Sequence, residues 1–283
     1  MALPPMRRSM RRPSNPKRTV LLMSPKTSSA CTRHAESQIS PAIEGPAPGA
    51  SATQAEAVAE IIGGVTPGGR EGTRVLVVGA SRKGKTTFAV SLVGALQAEG
   101  IARTILIHDC KYPDRVQYEG RAVTSLPELR RVYLDERPSV IVCRPGVSVE
   151  DAAAFVKDVT TLRGESCLLL VDEITPALRV NADTGEPVSQ VWCGPSPLWI
   201  CLQGGGLGAS LVVLAQLPKT VPGSLLDNAV FVFFGLGGRS LAYSIYLSLL
   251  PREMASVVKA LAPGQFVILW PDRDWSGVVY GPA

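Results

Sequence analysis

The residues of this sequence best suited to chemistry are Gly79-Ala80-Ser81-Arg82-Lys83-Gly84-Lys85-Thr86-Thr87, which follow the apolar run Val75-Leu76-Val77-Val78. They read as a short strand, then G-x-x-x-x-G-K-T, then a helix. Gly79 and Gly84 accept backbone angles that a Cβ would resist, so the N–H groups between them can turn inward on phosphate oxygens. Lys85 supplies a point charge for the β- and γ-phosphates, and the Thr86 hydroxyl can ligate Mg²⁺. The helix that begins there directs its positive end at the anion. Residues 79–87 are therefore the expected binding site of a nucleoside triphosphate.

A second set lies downstream in Leu168-Leu169-Leu170-Val171-Asp172-Glu173. A buried strand that ends on a carboxylate places it where ligands gather in open α/β sheets. Asp172 is the expected second holder of Mg²⁺, through water. Glu173 points the other way along the chain and can polarise an attacking water. Gln216, a lone polar residue after the run Leu211–Ala215, can hydrogen-bond a γ-phosphate or the lytic water.

These residues need strands and helices to hold them, and the chain alternates the two. Apolar runs at 104–108, 139–143, 167–171, 211–215 and 229–234 predict strands. Between them, 85–98 predicts a buried helix, Ser125-x-x-Glu128 caps another, and Ser148 with Asp151 opens a third to about residue 162. Continuous apolar strands at βαβ spacing mean an α/β fold, a mainly parallel sheet flanked by helices. Residues 174–198 read as irregular, and a terminal pair at 265–270 and 277–280 reads as an antiparallel edge. Helices are expected at about 240–249 and 251–261. Thr53-x-x-Glu56 opens a short helix that ends near the glycines at 63 and 64. The expected division is a disordered basic tail at 1–50, a short helix and linker at 51–71, and the nucleotide-binding domain at 72–283.

The chain of 283 residues carries a net charge of +5, and the sign misleads. Eight of the 29 Lys and Arg precede the first acidic residue, Glu36, leaving 21 basic against 24 acidic residues and a net charge of −3. The body of the protein is thus no generally basic nucleic-acid binder, and any DNA contact there needs a local cluster. The acid-free start suits a solvated tail, a basic arm for nucleic acid or an anionic membrane, or a transit-type leader. No apolar run reaches the roughly 18 residues of a membrane span, so the chain is expected not to be transmembrane. The six cysteines form no C-x-x-C pair and the two histidines lie far apart, which argues against zinc and suits a reducing, intracellular compartment.

One further pattern carries a family resemblance. Gly79–Thr86 is followed by His108-Asp109-Cys110-Lys111, by Asp172-Glu173, and by Leu207-Gly208-Ala209-Ser210 before the strand that delivers Gln216-Leu217-Pro218. Over about residues 72–270 this resembles the HerA/FtsK superfamily of DNA-pumping ATPases, although Ala215 stands where that superfamily usually has Thr. The resemblance implies a P-loop NTPase of the RecA-like (ASCE) type with ATP and Mg²⁺ as cofactors. It also implies a homo-oligomeric ring, a hexamer by expectation, acting on double-stranded DNA. A motor without accessory domains is most similar to the genome-packaging ATPases of tailless, membrane-containing double-stranded DNA phages and viruses. That likeness adds a capsid or membrane vertex protein as a partner and the virion as a location. DNA transfer of the conjugation or segregation type is the alternative, and a P-loop kinase a more distant one. A guanine switch lacks its N-K-x-D motif here. Arg239 is the expected arginine supplied to a neighbouring subunit, with Arg144 and Arg163 as rivals. Arg179 and Lys219 are the expected DNA contacts.

Overall fold

The computed structural model describes residues 51–64, 71–110, 118–174, 178–180, 187–192, 194–216, 221, 223–235, 250–272 and 275–282, with backbone alone at 178–180 and 187–192. Lys111, Lys219, Arg239, the helix expected at 240–249 and the tail expected at 1–50 lie outside the described residues.

The apolar runs become strands whose alternate side chains enter two separate hydrophobic layers. In β2 (Arg74–Val78), Leu76 and Val78 join one layer and Val75 and Val77 the other. In β6 (Cys167–Val171), Leu169 and Val171 join the first and Leu168 and Leu170 the second. A strand buried on both faces has no polar side to show, which is why these segments carry no period-2 alternation.

The remaining strands are β1 (Ser51–Thr53), β3 (Thr104–His108), β4 (Arg121–Val123), β5 (Val140–Cys143), β7 (Leu178–Val180), β8 (Pro187–Trp192), β9 (Ala209–Ala215), β10 (Val230–Phe234), β11 (Phe266–Leu269) and β12 (Val279–Gly281). Among the described residues, ten form one sheet in the order β1-β12-β11-β10-β2-β9-β6-β3-β5-β4. From β10 to β4 every neighbouring pair is parallel. β11 is antiparallel to β10 and to β12.

Helices cover both faces. On one lie α1 (Gln54–Gly63) and α2 (Lys85–Ala98), which bury Ile61, Phe88 and Leu92 in the second layer. On the other lie α3 (Leu126–Asp135), α4 (Val149–Arg163), α5 (Pro195–Leu202), α6 (Gly223–Leu226) and α7 (Arg252–Ala260), contributing residues such as Leu129, Phe155, Ile200 and Met254 to the first. The predicted caps are present. Ser125 accepts from Glu128 N, and Thr53 with Glu56 and Ser148 with Asp151 form reciprocal capping boxes.

Three elements differ from the sequence reading. The stretch 174–198 is not wholly irregular, because β7 and β8 pair antiparallel within it. The pair β11–β12 is antiparallel as expected yet is not the margin of the sheet, since β1 pairs parallel with β12 outside it. The sheet therefore reaches upstream of the boundary expected near residue 72, and α1 packs into its core rather than standing in a linker. β1 and β4 have only three residues each, too few for any apolar period to show.

Candidate functional site

β2 runs into the glycine-rich loop, and the loop's root is tied to two neighbouring strands. Gly79 N donates to Ala215 O at 3.2 Å and Ala80 N to Gly235 O at 3.3 Å. These two N–H groups fix where the loop starts, leaving residues 81–86 as the cradle. Gly79 is needed for close approach rather than for its angles, since a Cβ there would stand 2.6 Å from Phe234 Cβ. Gly84 does use glycine's freedom, with φ of 103°. Arg82 also sits left-handed, at φ 61°, a feature the glycine spacing did not announce. Two left-handed residues two apart turn intervening N–H groups toward one side of the chain, the geometry of an anion-binding nest. The far limb is braced by Gly264 N, which donates to Lys83 O at 3.2 Å.

α2 starts at Lys85 with Gly84 as its N-cap, so no capping side chain competes for its first N–H groups. Lys85 is 7% exposed, and its Nζ donates to Ala80 O at 2.9 Å, which folds the ammonium back over the loop.

The second set converges on the same place. β9 lies between β2 and β6, so Ala215, Val78 and Val171 end three adjacent parallel strands. Asp172 follows β6 and is fully buried, with its N–H donating to His108 O at 3.2 Å. Thr86 Oγ1 donates to Asp172 Oδ1 at 3.4 Å. A hydroxyl and a carboxylate at this separation, beside a phosphate cradle, suit a divalent cation that keeps most of its water, as Mg²⁺ does. Among the described residues no group of three or more His, Cys, Asp or Glu could enclose a metal, so a fully protein-ligated site is not built there. Glu173 is 9% exposed and accepts from Gln216 N at 3.5 Å. It is thus the Gln216 backbone, rather than only its amide, that meets the candidate base.

Of the predicted residues, the structure brings together the loop, Lys85, Thr86, Asp172, Glu173 and Gln216. Arg179 falls on β7, which pairs antiparallel with β8 in a separate two-stranded sheet; only its backbone is described. The rival arginines have partners of their own. Arg144 is 8% exposed and ion-paired to Asp109, which is 1% exposed. Arg163 stacks its guanidinium over the Tyr133 ring, 5.2 Å from its centroid. Arg163 is exposed at the end of α4.

Sequence reasoning missed the buried polar wall beside Asp172. His108 Nε2 donates to the Val147 carbonyl at 3.1 Å, which fixes Nε2 as the N–H. Burial lowers its pKa, against the Val147 bond and the Asp109 charge, so the ring stays neutral. Tyr118 is buried too, and burial first and the Asp172 charge next push its phenol above the ordinary range. The sequence signals for this wall are the His108–Lys111 motif and the polar residues that directly follow the apolar runs of β3 and β5; Tyr118 follows neither run. The buried thiols Cys143 and Cys167 are raised by burial, Cys143 to about 12, which leaves them inert packing groups.

The strand order and the loop define a P-loop NTPase fold of the ASCE type, in which an extra strand separates the phosphate-loop strand from the one bearing Asp172. No protein-family model and no curated protein matches the sequence. Solved structures do match. The genome-packaging NTPase B204 of Sulfolobus turreted icosahedral virus 2, in complex with sulfate, is similar with a TM-score of 0.58 and 17% identity, over 75% of this chain and 98% of that one. The same protein in complex with ATP-gammaS aligns at 0.53 and 19%, over 74% and 95%. B204 of Sulfolobus turreted icosahedral virus, a DNA-packaging ATPase, aligns at 0.50 and 15%, over 71% and 92%. The likeness read from the motifs is thus matched in fold. No helix among the described residues is long and apolar enough to cross a membrane.

Proposed function

We propose that this protein is an ATPase that hydrolyses ATP with Mg²⁺ and uses the energy to move double-stranded DNA, as a genome-packaging motor in a homo-oligomeric ring. One observation carries the hydrolytic part. Thr86 faces Asp172, and Glu173 faces Gln216, at the carboxyl ends of three adjacent parallel strands. In this reading the cradle of residues 81–86 and Lys85 hold the phosphates, while Thr86 and Asp172 hold the cation. The cation would neutralise charge on the phosphates when bound. Glu173 accepts the proton of a water that attacks the γ-phosphorus, the bond to the ADP oxygen breaks, and ADP and phosphate leave. Gln216 orients that water or reports loss of the γ-phosphate.

The DNA part is supported by the fold shared with packaging NTPases and by the motif order. Arg179 on the hairpin and Lys219 after Gln216 would grip the polymer, Arg239 would reach a neighbour's site, and a capsid or vertex protein would receive the ring. The test is phosphate release from ATP with and without linear double-stranded DNA. DNA should stimulate hydrolysis with no phosphorylated acceptor formed. Hydrolysis indifferent to DNA would remove the translocase reading and leave the ATPase. Transfer of the γ-phosphoryl group to an acceptor would remove both and leave a kinase.

A further inference from the structure

The buried polar groups around Asp172 exceed what a cation site with Thr86 requires, and Tyr118 is one whose hydroxyl the packing does not explain. Asp109 and Arg144 are ion-paired, so each explains the burial of the other. The Tyr118 ring belongs to the apolar layer on the phosphate-loop face of the sheet, together with Val142 and Leu170, and is 5% exposed. A phenylalanine would serve that layer as well, because a buried hydroxyl left unpaired costs about 1–3 kcal/mol. The hydroxyl of Tyr118 is buried with no hydrogen-bond partner among the described residues, and it lies within reach of the Asp172 charge, which raises its pKa after burial does. The Oδ1 of that carboxylate accepts from the Thr86 hydroxyl at 3.4 Å. Two hydroxyls thus neighbour one fully buried carboxylate, one from α2 and one from the chain that leads to β4.

Resting on the reading of Asp172 as a cation holder, we propose that Tyr118 is a positioning residue. Its hydroxyl donates to Asp172 when the cation is bound and holds the carboxylate in the rotamer that serves it. Partners that orient metal-bound carboxylates typically change metal affinity by about 10–100-fold when lost. Tyr118 does not touch the nucleotide in this scheme, so it acts only through Asp172. Removing the hydroxyl while keeping the ring isolates that role, and the apolar layer keeps its packing.

The experiment is a Mn²⁺ titration of the full chain in the presence of AMPPCP, read by loss of the free Mn²⁺ electron paramagnetic resonance signal. Wild type, Tyr118→Phe, Asp172→Asn and the double variant are compared, each below its melting temperature. Tyr118→Phe should weaken Mn²⁺ binding about 10-fold, and in the Asp172→Asn background the same change should have no further effect. A merely structural tyrosine would shift the melting temperature and leave the Mn²⁺ curve in place. A shift below about threefold beside an impaired Asp172→Asn overturns the assignment of Tyr118. An Asp172→Asn variant with wild-type Mn²⁺ affinity overturns the cation reading on which it rests.

Discussion

The centre of the sheet and its β1 margin are built on opposite plans. At the centre, β2, β9 and β6 are held by long parallel ladders between two apolar layers, and polar groups collect only where the strands end. At the margin the strands are short, and a single buried-side carboxylate does much of the fastening. Glu60 of α1 accepts from Trp270 Nε1 at 2.9 Å and from the Tyr280 hydroxyl, joining the helix to the segment after β11 and to β12. Gln54 ties the same helix to Ser91 of α2 at 2.9 Å. The contrast teaches where polar groups are free to do chemistry. At the centre, apolar packing carries the fold, so a polar group at a strand end such as Glu173 is not needed as a joint. At the margin the polar groups are themselves the joints.

The largest expected effect tests the first half of that contrast. Glu173→Gln keeps the side chain's size and its place beside Gln216 but removes the base. Its kcat should fall about 10²–10⁴-fold while ATP binding and melting temperature stay near wild type. Steady-state turnover beside nucleotide binding and thermal melts decides this. Turnover at the wild-type rate would mean that another group takes the proton.

Next comes a polar group at the centre that is not free. Arg144→Ala removes the ion-pair partner described for Asp109, which is 1% exposed, and breaking a buried pair costs about 3–5 kcal/mol. Denaturant unfolding should show that loss. Replacing both residues with apolar ones of similar volume should recover much of it. A small loss on Arg144→Ala would show that Asp109 finds another partner or a proton readily. It would also favour Arg144 as a residue for a neighbouring subunit.

The margin should respond differently. Glu60→Ala leaves the Trp270 N–H and the Tyr280 hydroxyl seeking partners, at about 1–3 kcal/mol of stability. Basal hydrolysis by the folded fraction should be unchanged, because α1 contributes no residue to the candidate site. If Glu60→Ala instead cut kcat at temperatures where the protein is folded, the margin would be part of the machinery rather than its frame.

The same contrast explains what was legible in the sequence. The centre could be read because its strands are apolar runs of four to seven residues and its loop has glycines and a lysine at fixed spacing. Asp172, Glu173 and Gln216 could be read because each breaks such a run. The margin could not. β1 is Ser-Ala-Thr, and nothing in those three residues foretells a partner more than two hundred positions away. β7 and β8 were hidden among prolines and glycines. Arg82 was unreadable for another reason, since its left-handed backbone is imposed by the loop and not by its own preference. Tyr118 and the Asp109–Arg144 pair are tertiary facts: Arg144 lies 35 positions from Asp109, and Tyr118 is still further from Asp172 in sequence.

The smallest expected effect lies just upstream of the margin and divides it from the basic N-terminal segment. The first 44 residues hold all of the positive excess and little apolar periodicity, with Val20–Met23 as the one cluster. β1 begins at Ser51, so a chain starting at residue 45 keeps the whole sheet, the capping box at Thr53 and the Glu60 joints. Its melting temperature should match the full chain to within about 2 °C, less than 1 kcal/mol for a protein of this size. A chain starting at residue 65 is the control for the other side of the boundary. It loses Ala57, Val58 and Ile61 from the core, and the two larger side chains alone contribute about 3–6 kcal/mol of burial. A matched melting temperature in the first chain with weaker, less salt-dependent DNA binding would identify the segment as a basic arm. A large drop would instead mean that Val20–Met23 packs on the domain and that the frame starts earlier than β1.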